Sequence, residues 1–352
     1  MRAVSAVPSH THTIIPIAGT LAMFDRLPHL QPNLDRIVAL IREAHNVLVT
    51  MHCRPDGDAA GSAIAMRHIL LAMGKDVTVF NVDEIPANFA FLRGAEAIVH
   101  ELGDTSGFDL CLVLDCAEPS LLGRKFPVER ITCPIAYIDH HSVPYEGCVV
   151  NLHDAKASAV GEILFHLCGA LGVALTQDIA RALYTSIITD TGSFRYTSTS
   201  ADSMRVCSHL LATDFDVWEV ASYIYENNPV EKVRLLALVL QTLWLSPDGK
   251  LACLHANRRM LKQCHCSGAM TDGFINYARS IAGVEVSIFL TQLENDLYRL
   301  SFRSRGTIDV SVIAAGFGGG GHKNAAACTL RGSVESIRDQ VNDMLHAKFF
   351  AD

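Results

Sequence analysis

Along the first two-thirds of the chain, short apolar runs rich in β-branched residues alternate with longer stretches whose apolar positions recur at helical spacing. That alternation predicts βαβ units and a parallel sheet. The runs read as strands are 47–51, 76–80, 109–114 and 135–138. Residues 59–73 form a helical pattern that ends at Gly74, and 158–171 form one that stops at Gly172, each glycine at a C-cap position. A third helix runs from Asp178 towards Ile188. From 203 to 243 the pattern is largely helical, with Asn227-Asn228-Pro229 as a break before 230–243. Beyond it, 251–257, 284–293 and 297–301 read as strands, 309–315 as a short helix and 334–349 as a C-terminal helix.

These elements predict an α/β protein in two parts. Residues 1–33 are an N-terminal extension, 34–215 a doubly wound, mainly parallel domain, 216–243 a helical connector and 244–352 a smaller α/β domain. Length agrees, because 352 residues exceed the roughly 250–300 at which one hydrophobic core stops growing. The apolar run 14–24 is broken by Pro16 and Gly19 and falls short of the roughly 20 residues that span a bilayer, so no transmembrane helix is expected. With Arg2 as the only early positive charge and no small-residue cleavage site after that run, the N-terminus does not read as a secretory signal.

Charge narrows the partners. The 29 basic and 37 acidic residues leave a net charge of -8, which opposes long-range attraction to a nucleic-acid backbone or an anionic membrane. Any phosphate-bearing ligand has to be captured locally. Eleven cysteines without a repeating spacing fit a reducing cytoplasm better than a disulfide framework. Cys264-His265-Cys266 lacks the matching half that a zinc site needs and reads as a loop with incidental thiols.

The chemistry collects behind the predicted strands. In MHCRPDGDAAGS, 51–62, His52, Asp56 and Asp58 follow the first strand within seven positions. Two neighbouring carboxylates repel unless cations neutralise them, and the Asp and His mixture suits hard or borderline divalent ions such as Mn²⁺. Alone, Asp58 fits equally well as a cap of the helix that follows. Asp115 in LVLDCAEPS, and Asp139, His140 and His141 in YIDHHSV, repeat this chemistry at the ends of two other strands, the edge where open α/β sheets bind ligands. SIITDTGSFRY adds Asp190 at the end of an apolar helix. Together the four clusters hold enough ligands for two metal ions, the arrangement that clamps attacking and leaving oxygens in phosphoryl transfer. Further on, the run Gly318–Gly321 beside His322 offers backbone amides to an anion, with Arg303, Ser304 and Asn324 nearby in sequence.

In these motifs and in their order, the chain resembles the DHH phosphoesterase family. SFRSRGTIDVSVIAAGFGGGGHKNAAA looks like the DHHA1 substrate-binding domain of the same proteins. The resemblance runs from about Leu34 to the C-terminus and implies an active site in the cleft between the domains. It implies that His52, Asp56 and Asp115 hold one metal while Asp58, Asp115, His140 and Asp190 hold the other, with Asp115 bridging. A hydroxide between two divalent ions, Mn²⁺ being expected, would attack phosphorus in line. His141 would contact the phosphoryl oxygens or assist the leaving group, and Asp139 would orient the histidines. Arg195, Arg303, Ser304, Gly319, Gly320, Gly321, His322 and Asn324 are the expected substrate contacts.

Within the family the chain is most similar to the nano-RNase and pAp phosphatase group. That implies a cytoplasmic, homodimeric enzyme acting on very short RNA and on 3'-phosphoadenosine 5'-phosphate, without long nucleic acid or membrane as partner. The rival readings are a phosphodiesterase for c-di-AMP or linear pNpN and, from another class, a nucleotide sensor without catalysis. Ala327 departs from the glycine common at the end of the family's histidine motif, which bears on substrate preference.

Overall fold

The structure is a computed structural model that describes residues 30–350. The run 14–24 and most of the predicted extension lie outside the described residues. Two compact units part between Asn227 and Asn228. The first described element of the first unit is α1 (Gln31–Glu43), a helix that the sequence analysis does not predict and that crosses its expected boundary between extension and domain at residue 33. Its core face is Leu34, Ile37, Val38 and Ile41, spaced at helical period with Pro32 in the first turn.

Next come β1 (Asn46–Met51), α2 (Gly57–Ala72), β2 (Asp76–Phe80), β3 (Ile98–Val99), β4 (Leu110–Leu114), β5 (Ile135–Asp139) and β6 (Val150–His153). Four helices complete this unit, α3 (Val160–Leu171), α4 (Gln177–Asp190), α5 (Ala201–Leu211) and α6 (Val217–Ala221). The strand order is β3-β2-β1-β4-β5-β6, and every neighbouring pair is parallel. The four strands read from the sequence are its centre, and β3 and β6 lengthen the two edges.

Residues facing opposite ways from the central strands enter different cores, as the period of two requires. Val47, Val49, Leu112 and Ile138 join α1 to α6 in one cluster, while Leu48, Val113 and Tyr137 meet Leu122, Phe126 and Ile131 in another. Helices therefore cover one face, and the irregular segment after β4 closes the other. The strand order reverses direction between β1 and β4, so a crevice opens at their C-terminal ends, where the chain enters the loops carrying His52 and Asp115.

The second unit holds α7 (Val230–Leu240), β7 (Trp244–Leu245), β8 (Leu251–Ala256), α8 (Arg258–Gln263), α9 (Ile275–Arg279), β9 (Val286–Gln292) and β10 (Leu297–Ser304). It ends with α10 (Val310–Gly316), β11 (Gly320–His322), β12 (Ala325–Arg331) and α11 (Val334–Leu345). The sheet order is β11-β12-β10-β9-β8-β7, antiparallel except for β8 and β9. Helix α7, read as part of a connector, buries Leu235 and Val239 against β8 and so packs within this unit. Cys264 is buried in the same cluster.

Candidate metal centre

Each motif residue is placed by a local device. Asp56 is the N-cap of α2, its Oδ1 accepting from the amides of Asp58 at 3.0 Å and Ala59 at 3.1 Å. The capping role considered for Asp58 thus belongs to Asp56. Asp58 instead points into the interior at 1 % exposure. Its Oδ1 accepts from Ser62 Oγ at 2.9 Å and Ser186 Oγ at 2.6 Å, and its Oδ2 from the Val160 amide at 2.9 Å. Asp115 follows β4 in a left-handed conformation, φ +49, a sparsely populated state for a residue with a β-carbon.

The imidazoles are oriented by backbone. His52 Nδ1 lies 2.9 Å from the Cys53 carbonyl and His140 Nδ1 3.2 Å from the Ala157 carbonyl, so each Nδ1–H donates to backbone and each Nε2 is turned towards the carboxylates. His52 Nε2 is 3.5 Å from Asp115 Oδ2 and 3.8 Å from Asp56 Oδ1. His140 Nε2 is 3.7 Å from the other Asp115 oxygen, Oδ1, 3.5 Å from Asp58 Oδ2 and 3.7 Å from Asp190 Oδ2. Three groups of three donors result among the described residues, His52 with Asp56 and Asp115, Asp58 with His140 and Asp190, and Asp115 with His140 and His141, each with its donor atoms within 4.8 Å of one another. Asp115 turns Oδ2 towards His52 and Oδ1 towards His140 and His141.

His141 Nδ1 sits 2.7 Å from Asp139 Oδ1 and 3.8 Å from Asp115 Oδ1. Asp139 is wholly buried, and among the described residues its Oδ2 finds no hydrogen-bond partner. The Asp139 bond lifts the His141 pKa against the pull of burial. His153 Nε2 contacts the His141 carbonyl at 2.5 Å from the end of β6.

The electrostatics show a shortage of positive charge. Burial opposes charge on His52, but Asp115 and Asp56 outweigh it and push its pKa up to about 11. Burial likewise opposes charge on His140, which Asp58, Asp115 and Asp190 push up to about 9. Burial raises the Asp190 carboxyl to about 6 against the pull of His140, and burial with Asp115 alongside holds Asp58 well above the usual carboxylate range. Four carboxylates and two imidazoles suit divalent cations: metal–oxygen bonds of about 2.1 Å put neighbouring donors roughly 3–3.4 Å apart, and the separations of 3.5–3.8 Å between each Nε2 and its carboxylates are somewhat wider than that.

The chain matches the model of the DHH family, N-terminal domain, over residues 46–187 and that of the DHHA1 domain over 261–347. It is 31 % identical to the bifunctional oligoribonuclease and PAP phosphatase NrnA of Thermus thermophilus, over 84 % of this chain and 88 % of that one. The chain belongs to the DHH family. The protein of the same name from Bacillus subtilis is 25 % identical over 83 % of this chain and 91 % of its own length. An exopolyphosphatase-related protein from Bacteroides fragilis superposes with a TM-score of 0.83 at 25 % identity, covering 90 % of this chain and 97 % of that one. DHH phosphoesterases are metal-dependent, which accords with these donor groups.

The second unit's motif residues have internal partners. Ser304 is buried and donates from Oγ to the Ile308 carbonyl at 2.7 Å, while Asn324 Nδ2 donates to Ser304 Oγ at 2.9 Å. Arg303 donates from Nη1 to the Phe302 carbonyl at 2.9 Å. The glycine run does not end in a free turn, because β11 begins at Gly320 and pairs with Ala325–Ala327 of β12. A β-carbon on Gly319 would lie 2.2 Å from the Ala327 carbonyl, whereas the space around Gly320 is open.

Sequence reasoning missed Ser62 and Ser186, which hold Asp58. Each sits four residues along a helix from a motif aspartate, Ser62 after Asp58 and Ser186 before Asp190, so helical spacing was the available signal. It also missed Asn81, whose Nδ2 donates to the His52 carbonyl at 2.9 Å. No described helix is long and apolar enough to cross a membrane.

Proposed function

We propose that this protein hydrolyses very short oligoribonucleotides to mononucleotides and 3'-phosphoadenosine 5'-phosphate to AMP, using two divalent ions, Mn²⁺ foremost. One observation carries the reading: the donor groups at the switch point of a parallel sheet meet at Asp115, whose Oδ2 faces His52 and whose Oδ1 faces His140. The names of the Thermus and Bacillus relatives supply the substrate class.

In this reading His52, Asp56 and Asp115 hold one ion and Asp58, Asp115, His140 and Asp190 the other. When bound, the ions supply Lewis-acid stabilisation of the phosphoryl oxygens and acidify the attacking water. The protein's own groups do the rest. Ser62, Ser186 and the Val160 amide fix Asp58, and the Cys53 and Ala157 carbonyls fix the two imidazoles. Asp139 accepts from His141 Nδ1–H and favours the imidazolium form, whose Nε2 proton can pass to the departing oxygen, leaving the imidazole neutral. Arg195, Arg303, Gly319, Gly320, Gly321, His322 and Asn324 contact the substrate, Asn324 being steadied by Ser304. The cysteine pattern supports a cytoplasmic setting and the family resemblance a homodimer.

The test is chromatographic product analysis with Mn²⁺ present, offering pAp, an RNA dinucleotide, a longer RNA and c-di-AMP in parallel. AMP from pAp and mononucleotides from the dinucleotide are expected. Preferential cleavage of c-di-AMP would overturn the substrate assignment, and no turnover with metals bound would overturn the enzymatic one.

A further inference from the structure

Immediately after Asp190 the backbone turns the left-handed way three times in succession, with φ of +55 at Gly192 and +60 at Ser193 and Phe194. For Ser193 and Phe194 this crowds the β-carbon, so the surroundings must hold the turn in place. Buried Thr191 does so. Its Oγ1 accepts from the Phe194 amide at 3.1 Å, and its carbonyl accepts from the amides of Arg195 and Tyr196, both at 3.0 Å.

The turn delivers two side chains to one place. The Tyr196 ring lies on the Gly192 backbone so closely that a β-carbon there would stand 2.4 Å from Cζ, and the residue is still 39 % exposed. Arg195 donates from Nε to the Gly192 carbonyl at 2.7 Å, a bond that does not use the two Nη groups. Tyr225, 40 % exposed, anchors its hydroxyl on the Ile188 carbonyl at 3.2 Å, meets Ser193 and feels the charge of Arg195. Scattered exposed tyrosines are ordinary. Here an arginine next in sequence to one exposed ring lies within electrostatic range of a second, and the first ring rests on a glycine only two residues from Asp190.

We propose that Tyr196, Arg195 and Tyr225 form a nucleoside subsite attached to the metal centre, Tyr196 stacking on the base and Arg195 meeting the phosphate that follows it. The inference rests on the nucleotide reading and adds where the base is held. Two residues of chain span at most about 7 Å, so the ring lies within reach of a nucleotide whose phosphate is at Asp190. Stacking on an aromatic face tolerates any base, and a guanidinium beside it attracts phosphate without a basic stripe. An acidic chain thereby gains the local capture that its net charge denies it at long range.

The experiment compares wild type, Tyr196→Ala and Tyr196→Phe on an RNA dinucleotide and on the same dinucleotide with an abasic residue. Melting curves establish that the variants are folded. In wild type the intact substrate should have a KM on the order of tenfold below the abasic one. Tyr196→Ala should bring the two KM values together and Tyr196→Phe should keep them apart. If Tyr196→Ala retained the wild-type preference, or Tyr196→Phe lost it, the subsite would be wrong. If wild type cleaved neither dinucleotide, the proposed function would fail while the subsite stayed testable by AMP affinity. Weaker AMP binding in Tyr196→Ala alone would then uphold it, and equal binding in all three proteins would overturn it.

Discussion

Asp115 combines a strained backbone, near-complete burial and two oxygens turned towards different histidines. Strain persists only where the surroundings over-determine it. Asp115→Asn keeps the shape but removes the charge facing both groups, so turnover should fall by a factor of at least about 1000. Elemental analysis should show metal lost along with it, and normal activity would refute the bridge. Asp139 acts through its neighbour. Because its Oδ1 fixes His141 Nδ1 at 2.7 Å, Asp139→Asn should lower kcat about 10–100-fold with metal content retained. It should also move the basic limb of the kcat–pH profile to lower pH, because the Asp139 bond holds the His141 pKa up, and a merely structural role would leave that limb in place.

Helices α2, α3 and α4 meet around Asp58, and small residues set how closely they approach. A β-carbon on Gly61 of α2 would stand 2.6 Å from the Ala182 carbonyl of α4. Gly61→Ala should therefore cost about 1–3 kcal/mol through overpacking, measured by urea unfolding. In α3, burial holds the His166 imidazole below its ordinary pKa, although Asp202 and Asp154 pull the other way. The folded state thus binds a proton there less readily than the unfolded chain does. Its contribution is fully present above the unfolded value of about 6.5 and is lost as pH falls through the depressed folded value. Between pH 7 and 5.5 the melting temperature of His166→Gln should drop less than that of wild type, and an equal drop would refute the assignment.

At the scale of the whole molecule, two sheets have separate hydrophobic cores, and the candidate metal ligands all lie in the first unit. Ligand linkage stabilises only the unit that binds, by about 2.7 kcal/mol when the free ion stands at 100 times its Kd. Calorimetry should resolve a transition that moves down on chelation and returns with Mn²⁺, and one that does not move. A coincident shift of both would show the units to be coupled in unfolding.

The ligand loops were legible in the sequence because each joins an apolar run to residues whose chemistry has few other uses. The central strands, the helix periods and the motif aspartates all follow from patterns a few residues long. What local pattern could not show were short edge strands such as β6, with four residues, and the pair β11 and β12. The glycine run reads as amides offered to an anion, and only the pairing of β12 with β10 and of β11 with β12 makes these residues strand. The sequence by itself determined which residue types stand at the ends of which elements. Only the tertiary structure decided that Asp58 meets Ser186, 128 positions away, and the Val160 amide, 102 away, and that Asp115 faces two histidines at once. Such contacts depend on strand order and helix approach, which emerge from burying two faces of one sheet, and no local periodicity carries that information.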